Sequence, residues 1–250
     1  MKFYQLFTLM VVLNRIQSLR MPPSIIPNTI GGNCPLVIHS VSITSALDQS
    51  YSTEAYLKKK DLYELVNQCQ PNGIDAQPST RVEINSIIAS LEKLNPTTTP
   101  ALSEKMNGFW RMDYTDFSPP ATSSGKLGPF IGEVYQDLYG SNQTSTAGII
   151  KNILRIKFPP IIGALVAKQR IVADDTWSIE FDRLSNKVAG LIQLPIVAFP
   201  PGSQLRLWQI TYLDDDLRIM RAGRLPLRRD ESFIFIFRRL PDSDRIVVDI

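Results

Sequence analysis

The sequence predicts a mainly β (α+β) protein in which one antiparallel β-barrel carries a pair of N-terminal helices. Two apolar stripes at helical spacing fall within residues 51–95, and from residue 107 onward short alternating segments are separated by turns rich in Pro, Gly and Ser. No repeated βαβ pattern occurs, which argues against a parallel sheet. About eight or nine antiparallel strands suit one barrel better than a flat sheet, because closure removes the exposed edges.

The two helices are predicted from the points where their apolar stripes begin and end. The first stripe runs from Leu62 to Cys69 and is followed by Pro71-Asn72-Gly73, and the second runs from Ile84 to Leu94 and is followed by Asn95-Pro96. Helices of this length are not stable alone in water, so each stripe must cover another element. We therefore expect the helical pair, residues 51–95, to form one domain with a barrel in residues 96–250.

The strands are predicted at 108–117, 130–139, 146–158, 163–172, 176–183, 187–198, 204–213, 216–222 and 231–239. The last of these is apolar on both faces, with Phe233, Phe235 and Phe237 on one face and Ile234 and Ile236 on the other. A strand with this pattern is buried on both sides. The two helices are expected to cover its outer side.

Residues 1–50 have the composition of a targeting leader. The first acidic residue is Asp48, and three Lys or Arg and eight Ser or Thr residues precede it. An acid-free segment rich in hydroxyl groups is typical of a transit peptide, and residues 1–18 also resemble a signal peptide. The two signals in series would suit import into a plastid through the endoplasmic reticulum, and plain secretion is the alternative.

Charge and composition exclude several classes of function for the remainder of the chain. Of 27 Lys and Arg residues, three precede Asp48, which leaves 24 against 24 acidic residues and a net charge of zero. A nucleic-acid-binding protein needs a cationic surface, so that class is set aside. His39, the only histidine, and Cys34 both lie in the leader. A catalytic triad or a histidine-ligated zinc site is therefore excluded, and we predict no catalytic residue, metal or cofactor.

A candidate ligand site lies on the first predicted strand. Trp110, Met112 and Tyr114 share one face by period two. A barrel of about eight strands is just wide enough to be filled by side chains or to hold one small ligand. The three side chains therefore line either a lipophilic pocket or an ordinary core, and the residues alone leave both alternatives open.

A hairpin with an acidic turn is predicted late in the chain. Apolar–polar alternation runs into Asp214-Asp215-Asp216 and resumes at Leu217. The run lacks the spacing and the glycine of a calcium loop, so a tight turn explains it better. Tyr212, Asp214, Asp216 and Arg218 are assigned structural roles, with Arg218 available for an opposite-charge pair across the hairpin.

Two of these segments together resemble the plastid-lipid-associated protein (fibrillin) family. Its members carry a G-x-W-x-x-x-Y-T strand early in the domain, as at residues 108–115, and a Y-L-D-x-D-L-R-I hairpin late in it, as at residues 212–219. Val134-Tyr135-Gln136 fits a third, weaker block, and the resemblance covers roughly residues 54–240. It implies a lipocalin-like barrel in a plastid, at thylakoids or lipid globules. It also implies a lipophilic ligand (an isoprenoid, carotenoid, quinone or acyl lipid), with Tyr135 added to the candidate ligand residues.

Other functions remain open beside lipid binding. The chain could be a scaffold subunit of a thylakoid membrane complex, with a filled barrel and a binding surface outside it. It could also be an enzyme acting on an isoprenoid or oxylipin, for which Glu133, Asp137 or Glu180 would have to supply the chemistry. The cationic face of residues 150–158 and the arginine-rich residues 218–245 have two interpretations, contact with a membrane surface or an ordinary solvated outer surface, and both stay open.

Overall fold

The computed structural model describes residues 43–117, 122–139, 147–202, 205–224, 227–228 and 231–248. Residues 1–42, most of the predicted leader, lie outside the described residues, and removal of the leader stays a prediction. No helix in the described part is long and apolar enough to cross a membrane.

Two α-helices precede the sheet. Helix α1 spans Ile43–Gln68 and begins inside the predicted leader, and helix α2 spans Pro78–Lys93. Short 3-10 turns follow at Pro100–Leu102 and Glu104–Met106. Both helices occur where the apolar stripes predict them, because each stripe buries one side of its helix: Leu62 and Val66 in α1, and Ile84, Ile88 and Leu91 in α2, have no accessible surface.

The strands occupy most of the remaining described chain. They are β1 (Gly108–Thr115), β2 (Lys126–Leu127), β3 (Phe130–Ile131), β4 (Glu133–Tyr139), β5 (Ala147–Ile156), β6 (Ile161–Ala173), β7 (Thr176–Val188), β8 (Ile192–Gln193), β9 (Val197–Ala198), β10 (Leu205–Leu213), β11 (Leu217–Gly223) and β12 (Phe233–Leu240). The long strands coincide with the predicted alternating segments.

Eight of these strands form a closed antiparallel ring. Each strand in the order β10-β11-β12-β1-β4-β5-β6-β7 pairs with the next, and β7 pairs in turn with β10. Strands β8 and β9 pair with β7 outside this ring. The predicted mainly β fold, an antiparallel barrel with two helices beside it, is thus confirmed.

The predicted strand at 187–198 is wrong. Its first two residues belong to β7, which runs on to Val188, and only the two-residue strands β8 and β9 occur in the remainder. Pro195 lies between them and has no backbone N–H to donate to a strand partner. The apolar run therefore folds back along β7 as an irregular segment.

Apolar residues form one core inside the ring and another beneath the helices. The interior core includes Trp110, Trp177, Trp208, Phe235 and Phe237. The helix-side core joins residues of α1 and α2 to Ile234 and Ile236 of β12. Strand β12 is thus buried on both sides, and the helices cover its outer side as expected.

A short segment closes one end of the ring. Ala101 and Met106, in the two 3-10 turns before β1, are fully buried in the interior core. The indole N–H of Trp110 donates to the Met106 carbonyl (3.0 Å), and that of Trp177 donates to the Ala101 carbonyl (2.8 Å). Both tryptophans are therefore anchored to the segment that closes this end of the interior.

Candidate functional site

The interior around Trp110 and Met112 is filled by side chains. A cavity that admits water would leave accessible surface on the residues lining it, yet Trp110, Trp177 and Ile179 have none, and Met112 has only 1%. Trp110 and Met112, two of the predicted ligand residues, therefore lie in the barrel interior. The described residues leave no open pocket beside these two side chains. Of the two predicted alternatives, their surroundings correspond to the filled core.

Tyr114 does not share the interior face with Trp110 and Met112, and the prediction of one common face is wrong for it. The pairing of β1 with β12 is irregular here: Met112 pairs with Phe237 and Tyr114 with Ile236, so Asp113 is an extra residue. A β-bulge of this kind reverses the alternation of side chains beyond it. Tyr114 consequently lies fully buried in the helix-side core.

Tyr135 lies on the outer wall of the barrel and not in the interior. Its ring stacks on that of Phe109, with centroids 5.2 Å apart, and both pack against Ile153. The Tyr135 hydroxyl donates to Glu133 (2.9 Å). Burial and the Glu133 carboxylate raise the pKa of Tyr135 to about 12. Of the four predicted ligand residues, the structure brings only Trp110 and Met112 together.

Arg218 points into the barrel, contrary to its predicted cross-strand pairing with an acid. Its guanidinium carbon lies 4.7 Å from the ring centroid of Trp110 and 4.4 Å from that of Phe237. One terminal nitrogen donates to the side-chain carbonyl of Gln136, and the Gln136 amide donates to Asn152 (2.8 Å). Its neighbours Leu217 and Ile219 occupy the helix-side core, so the intervening side chain must face inward.

The buried guanidinium has no room beside it for a ligand. Arg218 is fully buried, and its Nε and second terminal nitrogen have no hydrogen-bond partner among the described residues. Burial, followed by the nearby Arg239 cation, holds the pKa of Arg218 well below its ordinary value. Two aromatic faces stabilise the charge in place of a carboxylate. Its contacts give this group a structural role.

The acidic turn joins the β10–β11 hairpin to helix α1. One oxygen of Asp214 accepts from the backbone N–H groups of Asp216 (3.1 Å) and Leu217 (2.8 Å). Its other oxygen accepts from Tyr212 (2.8 Å) and Lys59 (2.7 Å). Burial opposes ionisation of Asp214, but the hydrogen bonds from Lys59 and Leu217 outweigh it, so the pKa of Asp214 is lowered.

Asp216 makes the second contact between this turn and α1. It accepts from Lys59 and, at 3.2 Å, from Tyr63. The sequence pattern shows the turn but gives no indication of Lys59 or Tyr63, because the two segments are far apart in the chain. The contacts of Asp214 and Asp216 are those of a structural joint.

The three carboxylates considered for catalysis are separate and already bound. Glu133 accepts from Arg155 (2.6 Å) and lies 3.0 Å from Lys157. Burial opposes its ionisation, but Arg155, Lys157 and Tyr135 prevail and lower the pKa of Glu133 to about 2. Asp137 accepts from Tyr139 and forms an ion pair with Arg245 (3.3 Å), and Glu180 accepts from the Gly202 N–H (2.7 Å). They do not form an acid–base pair.

No metal site is visible in the described residues. They contain no cluster of three His, Cys, Asp or Glu side chains that could hold a metal ion. A surface cleft of about 510 Å³ lies beside Phe109, Tyr139 and Arg239. The Arg239 guanidinium is already bound there to the carbonyls of Asn107 (2.7 Å) and Asp215 (2.6 Å).

Comparison with known proteins identifies the family. The PAP_fibrillin family model matches residues 56–227, more than half of the chain. The chain belongs to the PAP/fibrillin family. The fibrillin blocks at residues 108–115 and 212–219 both fall inside the matched range, and the family predicted from them is confirmed.

Three relatives illustrate the PAP/fibrillin similarity. "Probable plastid-lipid-associated protein 5, chloroplastic" of Arabidopsis thaliana is 27% identical over 168 residues, which is 66% of each chain. "Chromoplast-specific carotenoid-associated protein C1, chromoplastic" of an Oncidium hybrid cultivar is 28% identical, over 71% of this chain and 70% of that protein. "Light-induced protein, chloroplastic" of Solanum demissum is 28% identical, over 68% of this chain and 65% of that protein.

These fibrillin relatives are chloroplastic or chromoplastic, which supports the predicted plastid location. The chain spans about two thirds of the length of each relative it matches, from 65% to 70%. The names of the first two describe a lipid-associated and a carotenoid-associated protein, the third is named as light-induced, and none of the three names an enzymatic reaction.

Proposed function

We propose that this chain is a non-catalytic plastid protein that binds lipid assemblies through its outer surface and shields the lipophilic molecules within them. Thylakoid membranes and lipid globules are the assemblies that the proposal covers. The lipophilic molecules would be isoprenoids, carotenoids, quinones or acyl lipids. The names of two of the fibrillin relatives support the lipid association, and the contacts inside the barrel support the choice of the outer surface.

The observation that carries this proposal is the absence of accessible surface on Trp110. An apolar guest in the barrel would have to contact the large interior side chains, but these already contact one another and Arg218. Admitting a guest would require Trp110 or Phe237 to leave its place and the Arg218 cation to lose its aromatic contacts. Contact through the outer surface requires neither.

The decisive experiment separates association with a surface from enclosure of a guest. Protein purified from its native membrane is extracted, and the retained lipids are quantified by mass spectrometry against protein. The same protein is mixed with vesicles of plastid lipids and separated by flotation. We expect the protein to float with the vesicles. We also expect the protein purified from its native membrane to retain no lipid in equimolar amount. An equimolar lipid that quenches tryptophan fluorescence when added back would overturn the surface proposal in favour of an interior pocket.

A scaffold role in a thylakoid membrane complex is the second candidate. The filled barrel favours it as well, because a rigid domain with a fixed outer surface is suited to docking on other proteins. The experiment for it is native electrophoresis of gently solubilised thylakoids. Migration of the whole protein pool with one membrane complex, with no flotation on pure lipid vesicles, would favour the scaffold over lipid association.

A further inference from the structure

Two turns meet at one end of the barrel. The β5–β6 turn comprises residues 157–160, and the β7–β8 turn comprises residues 189–191. The backbone N–H of Ala189 donates to the Pro160 carbonyl at 2.7 Å, so the turns are joined directly. This end is opposite the one closed by Ala101 and Met106, since the Ala101 N–H donates to Asp174 in the β6–β7 turn. We call residues 157–160, 189–192 and Ile196 the barrel tip.

The barrel tip exposes large apolar side chains. Phe158 is 89% exposed and Leu191 is 85% exposed, and Ile192 and Ile196 are 61% and 52% exposed. Single exposed apolar residues are common on protein surfaces and need no explanation. Here Phe158 and Leu191 lie on two hydrogen-bonded turns, and Ile192 and Ile196 follow within five residues of Leu191. Exposed apolar patches of this kind mark sites that contact a partner or a membrane.

Cationic residues accompany this apolar patch. The two turns and the strand ends next to them, residues 155–163 and 183–194, contain four Lys or Arg residues and no Asp or Glu. The acids of β7, Glu180 and Asp182, lie farther from the turn, and Asp182 is paired with Lys168 and Arg183. Lys157 lies within the barrel tip with its side chain 74% exposed, and Lys187 precedes the second turn. The neighbouring acid, Glu133 of β4, is paired with Arg155 as well as Lys157. The charge around the apolar tip is therefore predominantly positive.

We propose that the barrel tip inserts into a lipid surface that carries anionic headgroups. Phe158 and Leu191 pass below the headgroups, while Lys157 and Lys187 remain level with them and contact their negative charges. A second copy of this chain is the less suitable occupant, because a symmetric contact through the tip would bring the lysines of both copies together. This inference rests on the proposed surface association and names the residues responsible for it.

The experiment uses the purified chain and two kinds of vesicle, phosphatidylcholine alone and phosphatidylcholine containing phosphatidylglycerol. The variant F158E/L191E places charges at the apolar tip, and V172E/V82E serves as its matched control. Val172 and Val82 are 56% and 70% exposed and lie outside the barrel tip. We expect the tip variant to bind the anionic vesicles at least about tenfold more weakly and the control to bind within about twofold of wild type. Circular dichroism and urea unfolding verify that each variant is folded.

The lysines are tested by K157Q/K187Q on the same vesicles. We expect this variant to lose affinity for the anionic vesicles only, and added salt to weaken wild-type binding in the same way. Wild type that binds neither kind of vesicle would overturn the surface association itself. If wild type and the tip variant float equally, the surface association stands, but its assignment to the barrel tip is wrong. A tip variant that floats normally but changes elution on size exclusion would assign the patch to contact between copies and overturn its lipid role.

Discussion

The guanidinium carbon of Arg218 lies 4.7 Å from the ring centroid of Trp110, inside the barrel. The sequence patterns predict a cross-strand pair with an acid for the first residue and leave either a ligand pocket or an ordinary core for the second. The structure instead holds Arg218 as a buried cation between aromatic faces and the Gln136 carbonyl, with Trp110 in a packed core. The interior around these residues is consequently a packed core that includes a polar network, which supports the proposed contact with lipid through the outside of the barrel.

Shortening Arg218 should destabilise the protein mainly through lost packing. Arg218→Ala leaves a void between Trp110 and Phe237 and an unpaired Gln136 carbonyl, so we expect the free energy of unfolding to fall by about 3–5 kcal/mol. Arg218→Met retains most of the volume and removes the charge, and should recover at least half of that loss. Urea unfolding of both variants measures the difference. Equal destabilisation would show that the charge itself, and not the volume, is required.

Asp214 should matter more than Asp216 for stability. Asp214→Ala removes acceptors for Tyr212, Lys59 and two turn N–H groups, and we expect a loss of about 1–3 kcal/mol. Asp216→Ala removes only side-chain contacts to helix α1, and we expect about 0.5–2 kcal/mol. Thermal unfolding gives the order of the two variants. The opposite order would mean that the contact with α1, rather than the turn, is the stronger part of this joint.

The helices and the eight long strands were predictable from the sequence because each has a regular apolar period over much of its length. The side chains that face the barrel interior were less predictable, since several strand pairings are irregular. One bulge lies at Asp113 and another between Ile210 and Tyr212 in β10, and the β6–β7 pairing has two further register shifts. Tyr114 and Tyr212 follow the two bulges and both join the helix-side core. A single inserted residue reverses the faces beyond it while leaving the local composition unchanged.

The inward direction of Arg218 could not be inferred from the hairpin pattern either. Leu217 and Ile219 flank it and look like interior residues, because apolar side chains usually face the core of a sheet. Here the helices provide a second core outside the barrel, and those two side chains face it. The available sequence signal was the polar pair Gln136 and Asn152, which lie on the otherwise apolar interior faces of β4 and β5.

Acid should destabilise the protein partly through Glu133. Its folded-state pKa of about 2 lies below the value of about 4.3 for an unfolded chain. The ionised group therefore stabilises the fold above about pH 4.3, and this contribution is lost as the pH falls towards 2. Glu133→Gln should reduce the slope of unfolding free energy against pH within that window. Denaturant unfolding over a pH series measures it, and an unchanged slope would contradict the assigned ion pairs with Arg155 and Lys157.

Glycine should be required at position 73 because of Tyr114. Gly73 and Gly190 both have a left-handed backbone, with φ of +76° and +70°, but an added methyl group would overlap the Tyr114 ring only at Gly73. Gly190→Ala should therefore cost about 1–2 kcal/mol from backbone strain alone. Gly73→Ala should cost about 1–3 kcal/mol more, because the buried ring beneath the helices cannot move away without disturbing its neighbours. Parallel urea unfolding of the two variants tests this difference, and equal losses would mean that the Tyr114 ring shifts without cost.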